Sequence, residues 1–173
     1  MTGGGFEAAT GDGPPPPPGT ESRRAAEVRV AWDGMLQIRR LTSAGSDTGT
    51  GGGTGTDTGT GSGGDPRAVP AAWEVNRPVR AVALALEAAG IAPSAVDADG
   101  RRVATGYRVA PGERPGTVRV EWLGPPGGGA AQEEEGQLSE CARVLEGLGW
   151  EALLYRGPRK RRFLEVEAVR GAG

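Results

Sequence analysis

The stretch that most constrains the fold runs from residue 136 to residue 169, where a helical repeat gives way to an alternating one. Five small or apolar residues recur at intervals of three and four positions, which places them on one face of a helix. They are Leu138, Cys141, Ala142, Leu145 and Leu148. Gly149 follows, where the end of a helix favours a residue without a Cβ. The pattern then predicts a buried strand over 150–156, a turn at Gly157-Pro158 and a half-exposed strand over 163–168.

An earlier segment predicts a second helix followed by a sheet. Asn76 is suited to begin a helix, because its side chain can accept a hydrogen bond from a free backbone N–H. Apolar residues then repeat at helical spacing, at Val79, Val82, Ala83 and Leu86. Three strands are predicted over 91–98, 101–110 and 117–123, and Asp99-Gly100 is a turn signal between the first two.

From residue 76 the predicted order is helix, three strands, helix, two strands. This order indicates an α+β fold with an antiparallel sheet, because the strands are joined by connections short enough for hairpins. Over residues 76–169 it resembles the small sandwiches of the secretion-chaperone type, a resemblance that implies holding a partner protein. The segment 145–150 also repeats the pattern of 86–91. That echo is typical either of two similar halves sharing a sheet or of any junction between a helix and a strand.

Glycine and proline, at 32 and 14 residues, concentrate in tracts that lack the side chains to build a core. Residues 1–24 are predicted to be a disordered arm. Its prolines at 14–18 favour polyproline II, as a solvated tail or as a docking peptide for an aromatic groove. A flexible Gly/Thr-rich linker is predicted over 43–66, because ordering it costs entropy and buries no apolar area. The α+β domain then spans 67–169, and a tail follows at 170–173.

The segment 25–42 fits two structures. Val28, Val30 and Trp32 alternate ahead of Asp33-Gly34, which is a hairpin turn signal. A helical template also matches its apolar residues. We prefer the hairpin, because glycine in a helix interior costs about 1 kcal/mol relative to alanine.

The chain has no histidine and a single cysteine, Cys141. These counts exclude histidine-based triads, histidine-ligated zinc, cysteine zinc clusters and disulfides within the chain. We expect no catalytic residues, cofactor or metal, and an enzyme dependent on carboxylates or a metal ion is the remaining catalytic alternative. Cys141 lies on the apolar helix face, which predicts a core thiol. Asp97 and Asp99, beside a glycine, are interpreted as turn residues.

The strongest candidate site is a cluster of five cations with two aromatic neighbours at the second hairpin turn. A nucleic acid would use the cations for its phosphates and the aromatic rings for stacking. Alternatively the charges serve an acidic protein partner, or the acidic run at 133–135 neutralises them within the chain. The candidate residues are Arg156, Arg159, Lys160, Arg161, Arg162, Tyr155 and Phe163.

The formal net charge of −2 gives no overall field that would attract nucleic acid or a membrane. No apolar run is long enough to span a bilayer, and we expect a cytoplasmic protein. Lys160 is the only lysine among many arginines, a composition typical of a small bacterial protein from a GC-rich genome. We predict a non-catalytic protein-interaction module, adaptor or chaperone-like, that binds an unidentified protein partner. Nucleic-acid binding through the basic hairpin tip at 156–162 is the alternative.

Overall fold

The computed structural model describes residues 5–45, 65 and 68–169. The fold is α+β, as predicted, with four α-helices and six strands in the described part of the chain. The helices are α1 (Glu21–Gly45), α2 (Ala72–Asn76), α3 (Pro78–Ala88) and α4 (Ala130–Glu146). The strands are β1 (Ala95–Val96), β2 (Arg102–Ala104), β3 (Gly106–Pro111), β4 (Val118–Leu123), β5 (Trp150–Arg156) and β6 (Arg162–Ala168). The predicted tail at 170–173 and most of the predicted linker lie outside the described residues.

The main sheet has four antiparallel strands in the order β3-β4-β6-β5, and β1 pairs with β2 separately. Helices α3 and α4 cover one face of the main sheet. The predicted helix face is confirmed, since Leu138, Cys141 and Leu145 are fully buried. They pack with alternate residues of the strands, so one face of the sheet forms the core. The buried strand residues include Val118, Val120, Trp122, Trp150, Leu164 and Val166.

The strand predicted over 101–110 is divided in the structure. Strand β2 ends at Ala104, and β3 begins at Gly106 in a different sheet. The backbone at 92–94 passes so close to Gly106 that a Cβ there would overlap the carbonyl oxygen of Ala92. The division therefore makes room for a neighbouring stretch of backbone, and it leaves Val103 exposed while Tyr107 is buried.

Residues 25–42 form part of helix α1, so the preferred hairpin was wrong and the helical alternative holds. Val28 and Met35 are buried at helical spacing and pack with Leu84 of α3. Trp32 packs beside them. The burial of these side chains against α3 stabilises the helix by more than Gly34 destabilises it. Helix propensity considers only the local cost of the glycine.

The predicted disordered arm at 1–24 also differs from the structure, because residues 6–9 contact helices α1 and α3 and residues 9–13 lie along the β3 edge. Val109 donates its N–H to Thr10 (2.7 Å), and Val96 donates to Gly13 (3.0 Å). The hydroxyl of Tyr107 donates to the carbonyl of Ala9 (2.8 Å). Hydrogen bonds between residues far apart in sequence therefore order this segment, although its own composition predicts no ordered structure.

Candidate interaction surface at the open sheet edge

Strand β5 forms the other edge of the sheet, and half of its backbone groups point away from β6. Val169 donates its N–H to Gly149 (3.0 Å), and Gly157 donates to Arg161 (2.7 Å). Because bonded and non-bonded pairs alternate along an antiparallel ladder, the odd-numbered residues of β5 face β6 and the even-numbered ones face outward. The outward-facing residues of β5 are Trp150, Ala152, Leu154 and Arg156, and within the described part of the chain nothing hydrogen-bonds to their backbone. The last three lie beside the exposed side chains of the strand.

Three consecutive large side chains on this edge are exposed. Leu153 and Leu154 are each 45 % exposed and Tyr155 is 43 % exposed. Leu154 lies on the same face as the core but close to the end of the strand, while Leu153 and Tyr155 lie on the opposite face. A strand added here would therefore find apolar contacts on both faces of the sheet. We call the outward backbone of 152–156 with these three side chains the open edge.

The beginning of β5 is held by a buried ion pair between α1 and α2. The side chains of Arg39 and Glu74 are 1 % and 2 % exposed and form two hydrogen bonds, of 2.8 and 2.7 Å. Arg39 also donates to the carbonyl of Leu148 (2.9 Å), and the carbonyl of Ala68 lies directly against Gly149. The ion pair therefore fixes the junction from which the open edge emerges.

The basic hairpin tip follows the open edge, and the structure divides its cations into two sets. Arg161 lies 3.9 Å from Glu134, and Arg162 lies 3.2 Å from Glu135. The backbone N–H of Arg162 also donates to Glu134, which is buried. Arg156, Arg159 and Lys160 form no ion pair with any described residue.

The internal acidic run therefore neutralises part of the tip, which was one of the predicted alternatives. Helix α4 begins at Ala130, so residues 133–135 lie in its first turns. Acidic side chains are favourable there, because the N-terminal end of a helix carries a partial positive charge. The remaining three cations leave a local excess of positive charge at one end of the open edge.

The two aromatic residues of the candidate site lie together on the outer face of the sheet. The rings of Tyr155 and Phe163 stack with their centroids 5.7 Å apart and their planes 22° from parallel. The guanidinium group of Arg119 lies 3.8 Å from the centroid of Phe163. Phe163 is therefore already in contact with two side chains, and Tyr155 is the more exposed ring.

Elsewhere on the outer face, acidic and basic side chains pair with one another. Glu121 accepts from Arg108 (3.2 Å) and from Arg119 (2.9 Å). Arg114 pairs with Glu165 and lies 3.8 Å from Glu167. This compensation makes the tip the place where positive charge is concentrated near the open edge.

The other residues singled out in the sequence have structural roles. Cys141 is buried, and its burial raises the pKa of the thiol to about 12. The carboxylate of Asp97 accepts from the N–H groups of Asp99 and Arg101, both at 2.9 Å, which is the geometry of a turn. Across residues 5–45 and 68–169, no three metal-ligating side chains come together.

Sequence reasoning identified the basic tip but missed the open edge. Leu153, Leu154 and Tyr155 form an uninterrupted apolar run, which was interpreted as part of a buried strand. The available signal was the position of this run beside five cations, since a buried strand is a poor neighbour for so many charges.

No family model matches the sequence, and neither a curated protein nor a solved structure is significantly similar to it. Among the described helices, none is long and apolar enough to cross a membrane.

Proposed function

We propose that this chain is a non-catalytic protein-interaction module that binds an extended strand of a partner protein at the open edge. The observation that carries the proposal is the combination of free backbone and exposed apolar side chains on β5. Unpaired N–H and C=O groups of an edge strand are a template for another strand, and natural proteins usually cover or charge such edges. Here, Leu153, Leu154 and Tyr155 are exposed where a protective charge would be expected.

The partner segment has a definite chemistry. Its main chain pairs with the outward groups of Ala152, Leu154 and Arg156, which supplies affinity without sequence specificity. Its alternate side chains are apolar, since they lie beside Leu153 and Tyr155 on one face and Leu154 on the other. Acidic residues follow at the end that reaches Arg159 and Lys160, and this charge complementarity speeds association and sets the direction of the strand.

The basic tip supports nucleic-acid binding as the second candidate. Three cations there are not paired with described residues, and Tyr155 is exposed beside them. The tip is small, however, and Phe163 already contacts Tyr155 and Arg119. The strand-binding proposal uses the same cations together with Leu153 and Leu154, so it explains more of this surface.

The proposal is tested by site-specific photo-cross-linking followed by binding measurements. A photoreactive amino acid at position 153 in the native host identifies a partner, and the same group at position 103 is the matched control, because Val103 is 44 % exposed on another strand. The purified partner is then titrated with Leu154→Pro. This change removes an outward N–H, and proline is tolerated in an edge strand where the N–H faces solvent.

We expect Leu154→Pro to weaken binding at least tenfold with little change in melting temperature. Leu153→Ala, which keeps the backbone intact, should weaken it several-fold, and Val103→Ala should leave it unchanged. If Leu154→Pro and Leu153→Ala bind as the unchanged chain does, strand addition at the open edge is wrong. Concentration-dependent self-cross-linking of the pure protein through position 153 would instead identify a second copy as the occupant.

A further inference from the structure

We propose a second interaction element: the five prolines from Pro14 to Pro18 form a preorganised ligand for an aromatic groove on another protein. We call this run the proline strap. It lies beside the β3 edge, at the opposite side of the sheet from the open edge. The inference is independent of strand binding at β5, because the two surfaces share no residue.

The conformation of the proline strap follows from its sequence. The proline ring fixes φ near −65°, and a residue that precedes proline is excluded from the helical region. Four of the five prolines precede another proline, so residues 14–17 are restricted to the extended region that includes polyproline II. In agreement, no helix, strand or turn is assigned over 14–17, Pro18 and Gly19 form a turn, and helix α1 begins only at Glu21.

The end of the strap that follows residue 13 is held by backbone and side-chain hydrogen bonds. Val96 donates to the carbonyl of Gly13 (3.0 Å). The carboxylate of Asp12 accepts from Arg102 (2.6 Å) and from Arg108 (2.8 Å). Burial opposes the ionised form of Asp12, but the hydrogen bonds and charges of the two arginines outweigh it and lower its pKa.

The other end of the strap is held at the start of α1. The hydroxyl of Thr20 donates to the carbonyl of Pro17 (2.6 Å), and its N–H donates to the same oxygen (3.3 Å). Arg24, one turn into the helix, pairs with Glu87 of α3 at 2.6 Å and lies over the ring of Phe6. The strap is therefore held at both ends by hydrogen bonds, and its end residues have already lost most of their conformational freedom.

The prolines themselves are left available for contact. All five are exposed, and none packs in a hydrophobic core cluster. An open groove of about 2150 Å³ lies between the strap and the body of the protein, lined in part by the partly exposed Val79 and Ile91. A strap that served only as a spacer would gain stability by lying on these apolar side chains, but it does not.

Aromatic grooves recognise such a segment because it is rigid before binding and loses little conformational entropy. Polyproline ligands dock through their rings, and all five prolines are exposed here. Together with the open edge, the strap gives the chain two separate binding elements on opposite sides of one sheet, which is the arrangement an adaptor requires.

The test uses isolated SH3, WW and EVH1 domains, three types that take polyproline ligands, each titrated into the isotopically labelled full chain. We expect at least one to bind and to shift the amide signals of Gly13, Gly19 and Thr20, which flank the strap. Pro15→Ala with Pro16→Ala should weaken binding at least tenfold while the melting temperature stays within a few degrees. The matched control, Pro115→Ala with Pro126→Ala, changes two exposed prolines elsewhere and should bind as the unchanged chain does.

Three results would overturn the proposal: no domain of the three types shifts the flanking signals at millimolar concentration, the shifts survive the double change in the strap, or a peptide of residues 10–22 binds while the full chain does not. The last result would show that the strap is inaccessible where the fold holds it. A domain whose groove tryptophan is replaced by alanine should fail to bind, which confirms that an aromatic groove is the recognising surface.

Discussion

At one edge of the main sheet, Tyr107 of β3 donates its N–H to Ala92 (3.0 Å) and accepts from Ser94 (2.9 Å), and Val109 donates to Thr10. At the other edge, the outward groups of β5 meet no partner in the described part of the chain. The first edge is closed by two stretches of backbone from outside the sheet, whereas the second is open and has exposed apolar side chains. This difference between the two edges is the observation on which the proposal of strand binding rests.

The difference extends to how each edge is anchored. The covered edge depends on many contacts of modest energy made by residues 5–13. The open edge depends on the buried pair of Arg39 and Glu74 at its beginning and on the pairing of β5 with β6. We therefore expect substitutions at the two edges to differ in how much stability they remove and in which part of the sheet they affect.

The largest effect is expected for Glu74→Ala, which would remove the carboxylate that accepts two hydrogen bonds from the buried guanidinium of Arg39. Removing one partner of a buried pair costs about 3–5 kcal/mol, and here the loss should also free the junction at Leu148. Glu27→Ala is the matched control, because Glu27 pairs with Arg23 on the surface and such pairs contribute at most about 1 kcal/mol. Chemical denaturation gives both values, and equal losses would remove the special role of the buried pair.

The next effect is expected at the covered edge. Gly11 has φ +92°, and a Cβ there would overlap the carbonyl oxygen of Tyr107. Gly11→Ala should therefore cost about 1–3 kcal/mol and raise the amide exchange rate of Val109. A Cβ at Gly13 would meet open space, so Gly13→Ala should leave both quantities nearly unchanged. If Val109 exchanges at the same rate in all three proteins, residues 5–13 do not close this edge.

A smaller effect is expected for Leu154→Ala at the open edge. Full burial of a leucine side chain contributes about 1.5–3 kcal/mol, and Leu154 is 45 % exposed, so the loss should be about 1 kcal/mol or less. Its partner across the strands, Leu164, is fully buried, and Leu164→Ala should cost about 2–5 kcal/mol. Thermal or denaturant unfolding distinguishes the two, and a comparable loss would mean that Leu154 is covered in solution.

The smallest effect is expected at the tip. Replacing Arg159 and Lys160 by glutamine should change stability by under about 0.5 kcal/mol, because neither pairs with a described residue. The same change at Arg161 and Arg162 should be more harmful, because it removes the partners of Glu134 and Glu135. A nucleic acid bound at the tip would show a steep loss of affinity with salt. Filter binding from low to physiological salt tests this, and no binding at low salt excludes the second candidate function.

Much of the fold was readable from local patterns. The helical spacing of Leu138, Cys141 and Leu145 and the alternation of Val118, Val120 and Trp122 correctly predict α4, β4 and the face of each that is buried. These predictions succeed because burial on one face imposes a period that is visible within ten residues.

The failures have a common physical cause. Helix α1 is held against α3 by Val28 and Met35. Residues 5–13 are held by hydrogen bonds to β3 and to residues near it. Both sets of contacts join residues far apart in sequence, so no local repeat of apolar residues predicts them. The tip was visible as a run of charge. The open edge could not be predicted in this way. It exists because β6 lies between β4 and β5, and the residue pattern of a single strand does not determine the order of strands in a sheet.

Amide hydrogen exchange at Ala152, Leu154 and Arg156, with and without the bound partner, tests strand addition most directly. We predict fast exchange of these outward amides in the free protein, in contrast to slow exchange of Val109 at the covered edge. The bound partner should slow them, while the amides of Val103 and Val30 are unaffected. If the partner binds and all three outward amides still exchange at their free rates, it does not add a strand to β5.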